Sequence, residues 1–204
     1  MIVTSIDFET ANRAEASICA AGVALFEDGD LIESRHWLLR PPKGFGYFRE
    51  DFIECHGIQW FDVRHAPEFP GIAQEFLATL SRADLVIAHN APFDLRILRG
   101  TLRHFGLTCP EFDFLCTLSA SRRVWPNLPS HGLGSVTAHI GHVFQHHNAQ
   151  ADAEAAGRVL LAMLKDTQAQ NPRALMRSAG INLRRFSAQG WTSPSLLETL
   201  DQAC

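Results

Sequence analysis

"MIVTSIDFET", residues 1–10, is an apolar run that closes on two acids. The stretch MIVTSID reads as a buried strand, with Asp7 and Glu9 two positions apart at its end. Side chains alternate across a strand, so both carboxylates point to the same face. Two anions on one face repel, and near a core each has its pKa raised. A divalent cation held between them removes that penalty. The competing reading is a solvated strand end.

Downstream of this strand, ICAAGVALFEDGDLIESRHWLL predicts a hairpin with its turn at Glu27-Asp28-Gly29-Asp30. Residues 40–70 read as loop, punctuated by Pro41, Pro42, Gly44, Gly46, Pro67 and Pro70. Ile72–Leu80 suits a helix, and ADLVIAH is a short continuous apolar run, hence a central strand. NAPFDLRILRGTLRHFG predicts a helix with Asn90 as cap, Pro92 in the first turn and Gly106 as the stop. DFLCTL suits a further strand, LGSVTAHIG a short helix and Ala149–Leu164 a longer one. Strands alternating with helices after an initial meander indicate a mixed α/β architecture. Residues 1–168 form the main domain. The extension 169–204 changes character, with four arginines and two acids after Asn171, and is expected to be helical and packed on the domain. The abrupt end at Cys204 fits a longer parent protein.

The chain has 204 residues, 46% hydrophobic and 20% charged, which describes a globular protein rather than a disordered one. No run approaches the ~20 apolar residues of a membrane span, so no membrane partner is expected. The start has no basic segment or cleavage site, so no secretory signal is read. Five scattered cysteines without a C-x-x-C pair suit reduced thiols in a cytoplasm. A net charge of −4 argues against coating nucleic acid by charge alone. It leaves room for a protein that grips a strand end locally.

Two further acids break otherwise apolar faces. In HNAPFD, Asp94 heads a stripe continued by Ile97, Leu98, Thr101 and Phe105. In FQHHNAQADAEAAG, Asp152 lies on the edge of a stripe of Ala149, Ala153, Ala156, Leu160, Met163 and Leu164. A helix N-terminus favours an anion by ~0.3–1 kcal/mol, which alone can explain either acid. Together with Asp7 and Glu9 the bland readings weaken. A strand end and two helix starts can converge at one rim of a sheet, and four carboxylates are hard donors suited to Mg²⁺ or Mn²⁺.

IDFET, HNAPFD and HHNAQADAEA resemble the three motifs of the DnaQ-like DEDDh 3′–5′ exonucleases, in order and in spacing, over about residues 1–165. The resemblance implies a ribonuclease H-like α/β fold: a mixed five-stranded sheet, its second strand antiparallel, flanked by helices. It implies that Asp7, Glu9, Asp94 and Asp152 bind two Mg²⁺ or Mn²⁺ ions and release nucleoside 5′-monophosphates from the 3′ end of single-stranded DNA or RNA. The family's third motif is histidine, four residues, aspartate. His147 fits it as general base, since imidazole titrates near neutrality. His146 is out by one and reads as a surface histidine. The run His139, His142, His146, His147 also permits zinc, but Gly141 breaks its helix and no cysteine joins it.

Five residues are expected to bind the substrate. Phe8 points its ring into the core and offers backbone, whereas Thr10 stands on the metal-facing side. His56 and Ile58 lie in ECHGI, which resembles the family's end-binding segment. Phe93 either stacks on a base or packs in the core. Arg96, Arg99 and Arg103 track phosphates or form a solvated face. Expected partners are the nucleic-acid 3′ end, a DNA polymerase and a second copy in a homodimer. Competing functions are an RNA-specific exonuclease and a noncatalytic polymerase accessory or nucleic-acid-binding module.

Overall fold

In a computed structural model of the chain, which describes residues 1–191, β1 (Ile2–Thr10) is an interior strand of the sheet. β2 (Ile18–Glu27) pairs with it antiparallel, and β3 (Asp30–Leu38) pairs antiparallel with β2. The turn between β2 and β3 has Asp28 at φ 49° and Gly29 at φ 98°. Two consecutive left-handed residues match the twist of a tight hairpin. β4 (Leu85–Ala88) and β5 (Phe112–Cys116) then extend the other side in parallel.

The sheet does not stop at five strands. β6 (Arg184–Ser187) adds antiparallel to β5 and β7 (Gly190–Trp191) to β6, giving seven strands in the order β3-β2-β1-β4-β5-β6-β7. The C-terminal extension is therefore not simply helical. It opens with α8 (Pro172–Ser178) and returns as a hairpin on the sheet edge. Phe186 anchors this return: it is fully buried and stacks on Phe112 with ring centroids 4.8 Å apart. Burying such a ring contributes ~2–3 kcal/mol, enough to hold so short a strand. Residues 192–204 of the extension, Cys204 included, lie outside the described residues.

Two apolar layers sandwich the sheet. One packs Phe8, Phe114 and Phe186 against α3 (Pro70–Ser81) and α4 (Ala91–His104), through Phe76, Ile97 and Leu98. The other packs Phe26, Ile87 and Leu115 against α7 (Ala149–Asp166), through Val159, Leu160 and Met163. Between β5 and α7 run α5 (Thr117–Val124) and α6 (Leu133–His139). Among the described residues no helix is long and apolar enough to cross a membrane.

The segment 40–70, expected as loop, contains α1 (Glu50–His56) and α2 (Trp60–Val63). Both are too short to persist alone. α1 ends on Gly57 at φ 76°, and α2 begins with a reciprocal cap between Gln59 and Asp62. Asn90 stands at the N-cap of α4 but at φ 73° and without a capping side-chain bond. Its carbonyl instead accepts from Phe93 N–H at 2.9 Å. Asn148 caps α7 as expected, accepting from Ala151 N–H at 3.1 Å. The first turn of α7 lies directly on β2, because Gly22 has no side chain: a Cβ there would fall on the Ala149 carbonyl. That contact fixes where Asp152 begins its reach toward β1.

Candidate active site

At the end of β1 the side chains alternate as expected. Phe8 is buried, with its ring 5.4 Å from Phe76. Asp7 and Glu9 point the other way and meet Asp152 from the first turn of α7. One carboxylate oxygen from each of these three lies within 4.8 Å of the others. Asp94, in the first turn of α4, is not part of that three-oxygen cluster. It stands immediately behind it, almost wholly buried, with Oδ1 accepting from Phe8 N–H at 3.1 Å. The adjoining backbone thus orients the fourth acid from the strand that carries the first two.

Burial and mutual repulsion push all four acids toward the protonated form. Asp7 is raised by burial and then by Glu9 and Asp152. Asp94 is raised by burial and by Asp7, against the hydrogen bond from Phe8. Glu9 is pushed up to about 8 by burial, Asp152 and Asp94. Asp152 is pushed up to about 7 by burial, partly offset by the backbone N–H groups of His147 and Asn148. Asp152 Oδ2 is buried without a hydrogen-bond partner among the described residues. An unsatisfied buried oxygen is costly. A pocket of hard oxygens with one left orphaned fits a divalent cation such as Mg²⁺ or Mn²⁺.

These shifts fix a stability profile. In the metal-free protein Glu9 and Asp152 hold protons that the unfolded chain releases near pH 4, so their contribution falls as pH rises toward 8. The depressed histidines act oppositely: His89, pushed down to about 4 by burial, stabilises increasingly up to the ordinary imidazole range and no further. Between about pH 6.5 and 8 the acids act alone. Thermal melts in chelator should therefore show Tm falling across that interval, and Mg²⁺ or Mn²⁺ should raise Tm more at pH 8 than at pH 6. A Tm that climbs through the interval in chelator would contradict the acid cluster.

Two histidines reach the acids. His147 adopts φ 64°, a left-handed conformation uncommon for a residue with a Cβ, though histidine is among those that enter it more often. Its Nδ1 is 4.0 Å from Glu9 Oε1 and 3.4 Å from Cys55 Sγ. His146, read from sequence as a surface residue, is exposed, yet its Nε2 lies 3.9 Å from Asp152 Oδ1. The two rings meet edge to face at 4.0 Å. Burial holds both imidazoles below their ordinary pKa.

The other expected contacts divide. Ile58 and Phe93 are half-buried, Phe93 beneath the Arg96 guanidinium at 5.9 Å. Thr10, expected on the metal-facing side, has the parity of Phe8 rather than of Glu9 and is buried, and the register shift beside it puts its extra residue, Cys19, on β2. His56 is occupied within the chain: Nε2–H donates to the Thr10 carbonyl at 3.1 Å and Nδ1 accepts from Ile58 N–H at 3.0 Å. The arginines of α4 are also engaged, Arg99 over Trp191 at 5.5 Å and Arg103 with Glu15 at 3.2 Å. Sequence reasoning missed Cys55, which meets His147 across 92 positions. It also gave no role to His89, whose Nε2–H donates to the His131 carbonyl at 2.8 Å while Nδ1 meets Thr117 Oγ1 at 3.0 Å.

Residues 4–160 match the family model described as Exonuclease. The DNA polymerase III PolC-type of Streptococcus thermophilus is 32% identical over 140 residues, 68% of this chain and 9% of that protein. That of Streptococcus suis is 28% identical over 165 residues, 80% of this chain and 11% of that protein. The chain thus spans about a tenth of the polymerases it matches, 9% and 11% in these two cases. Among solved structures, exonuclease X in complex with 5′ overhanging duplex DNA aligns with TM-score 0.67 at 20% identity, over 87% of this chain and 99% of that one. The nuclease domain of 3′hExo, a DEDDh family member bound to rAMP, aligns with TM-score 0.68 at 16% identity, over 81% and 92%.

Proposed function

This chain belongs to the exonuclease family, and on that premise we propose that it is a metal-dependent 3′–5′ exonuclease of the DEDDh type acting on single-stranded ends. The observation that supports this most directly is the meeting of Asp7, Glu9 and Asp152 within 4.8 Å, with Asp94 behind them and His147 Nδ1 4.0 Å from Glu9. A binding module has no need of four repelling acids, two of them buried and two half-buried. Two bound Mg²⁺ or Mn²⁺ ions would neutralise the acids and draw charge from the phosphodiester as attacking and leaving oxygens exchange. Asp7, Glu9, Asp94 and Asp152 hold that charge at one place, and the Phe8 amide keeps Asp94 turned toward it.

His147, neutral at pH 7 because burial lowers its pKa, takes a proton from the attacking water. The hydroxide bonds to phosphorus as the bond from phosphorus to the 3′-oxygen of the penultimate nucleotide breaks, that oxygen takes up the proton from His147 or from solvent, and a nucleoside 5′-monophosphate leaves. The PolC-type relatives make a place beside a DNA polymerase part of the same proposal. The test is degradation of 3′-end-labelled single-stranded DNA, duplex DNA and RNA with Mg²⁺, Mn²⁺ or chelator. Mononucleotides should appear only with a divalent ion and fastest from single strands. Equal release in chelator, or no release from any substrate, would refute the assignment.

A further inference from the structure

Seven large apolar side chains are exposed among the described residues: Ile32, Leu38, Tyr47, Trp60, Phe61, Val143 and Leu183. The three aromatic ones are not scattered. Tyr47 is 74% exposed, Trp60 42% and Phe61 72%, and all lie in one short segment around α1 and α2. That segment is fastened to the end of the strand carrying Asp7 and Glu9. Asn12 Nδ2 donates to the carbonyls of Phe45 at 2.8 Å and Tyr47 at 2.7 Å. Arg49 N–H donates to the Ala11 carbonyl at 2.9 Å, and His56 to that of Thr10 at 3.1 Å. Cys55 of the same segment touches His147. The Trp60 ring passes beside Gly46, where an added Cβ would stand 3.3 Å from Cζ3, so the Tyr47 and Trp60 ends of the segment adjoin.

Exposed rings are costly to leave in water, and a cluster rimmed by polar groups marks a binding surface. Charge does not identify its occupant. Residues 40–64 contain four cations (Arg40, Lys43, Arg49, Arg64) and four anions (Glu50, Asp51, Glu54, Asp62), so the segment is neutral. Two of the cations stand over rings, Arg49 over Phe52 at 5.6 Å and Arg64 over Phe61 at 5.0 Å. Neutral, ring-rich and tied to the acid cluster, the surface suits unpaired bases, whose faces stack on aromatic side chains whatever the sequence.

Resting on the exonuclease reading, we propose that Tyr47, Trp60 and Phe61 form a stacking platform for the bases on the 5′ side of the scissile bond. The chemistry is shared by DNA and RNA single strands. A duplex, whose bases already stack on one another, gains nothing from it, so the platform sets the preference for single strands.

The test uses Tyr47→Ala, Phe61→Ala and their combination, with Tyr47→Phe and Phe61→Tyr as controls for folding. Affinity is read by anisotropy with phosphorothioate-protected oligo(dT) and oligo(U), and with a strand whose upstream sugars lack bases. Turnover is read with the p-nitrophenyl ester of thymidine 5′-monophosphate, which has no upstream base. The alanine variants should bind both oligomers at least about tenfold more weakly, because a base no longer has a ring to stack on. The aromatic controls should bind normally. The abasic strand should bind wild type and variants alike, and ester hydrolysis should not change. Undiminished oligomer binding by folded alanine variants would refute the platform and assign the patch to a protein partner. Equal weakening on the abasic strand would refute stacking. Failure of ester and strand hydrolysis in every protein would remove the nuclease reading alone, because the binding arm does not depend on turnover.

Discussion

Asp7→Asn is expected to abolish hydrolysis and, in the same protein, to raise the melting temperature of the metal-free form. Asparagine matches the shape of aspartate and removes only its charge. Asp7 is the acid that feels both Glu9 and Asp152, in a site where burial already disfavours ionisation. One fewer anion in the cluster leaves a cation less tightly held and less able to stabilise the phosphodiester in transition. Losing several kcal/mol of that stabilisation lowers the rate by at least ~10³-fold. The folded state gains by the same deletion. At pH 8 the wild-type chain must hold like charges together or retain protons against solution, whereas the variant need not. A relief of ~1–3 kcal/mol, which lies in the range found when buried charges are replaced, raises Tm by about 2–8 °C in a domain of this size. The gain should shrink from pH 8 toward pH 5, because the raised pKa of Asp7 moves its carboxyl toward the protonated form in the folded protein as pH falls. The rise in Tm on adding Mn²⁺ should shrink with it. Paired melts with and without Mn²⁺ at both pH values, beside a turnover assay, check all of this. A variant that melts lower yet keeps its full response to Mn²⁺ would show that Asp7 is structural.

The sequence made the acids legible because each ends an element with a clear period. Alternation in β1 separates Phe8 from Asp7 and Glu9, and the apolar stripes of α4 and α7 leave Asp94 and Asp152 as the odd members. What stayed hidden depends on partners far away in the chain. α1 and α2 sit among prolines and glycines; the segment of α1 is held by bonds to the carbonyls of Ala11 and Thr10 and from the Asn12 amide, and α2 by its own reciprocal cap. β6 has four residues, too few for a period, and exists because Phe186 finds Phe112 on a strand more than 70 positions earlier. The expectation that Thr10 faces the metal side runs against alternation, which puts it with Phe8, and the register shift beside it leaves β1 unbroken because the extra residue, Cys19, lies on β2. His146 shows the limit of motif spacing. Spacing selects one histidine of a pair, but the path of the loop decides where both rings point.

That pair carries the second large effect. His147→Ala is expected to lower kcat by about 10²–10⁴-fold, the range of a positioned general base, whereas His146→Ala should cost less than about tenfold. Both imidazoles lie about as close to an acid, at 4.0 and 3.9 Å, so distance does not separate them. Backbone does. His147 is held at φ 64°, a conformation that costs roughly 1–2 kcal/mol for a residue with a Cβ. Strain of this kind persists where the surroundings demand a particular side-chain direction. Here it turns the ring between Glu9 and Cys55, while Asn148, next in the chain, caps α7 and leaves no slack before Asp152. His146 is as exposed as His147 and its ring meets that of His147 edge to face, so its removal loosens a neighbour without removing the proton acceptor. A base must be neutral to act, so wild-type turnover should rise with pH through a value below the ordinary imidazole range and then level. His147→Ala should lose that limb, and His146→Ala should keep it. Turnover of labelled single strands from pH 5 to 8.5, with Tm and Mn²⁺ response measured on each variant, reads the difference. Should His146→Ala prove the inactive protein while His147→Ala retains its limb, the proton acceptor is the histidine facing Asp152 and the motif spacing has picked the wrong ring.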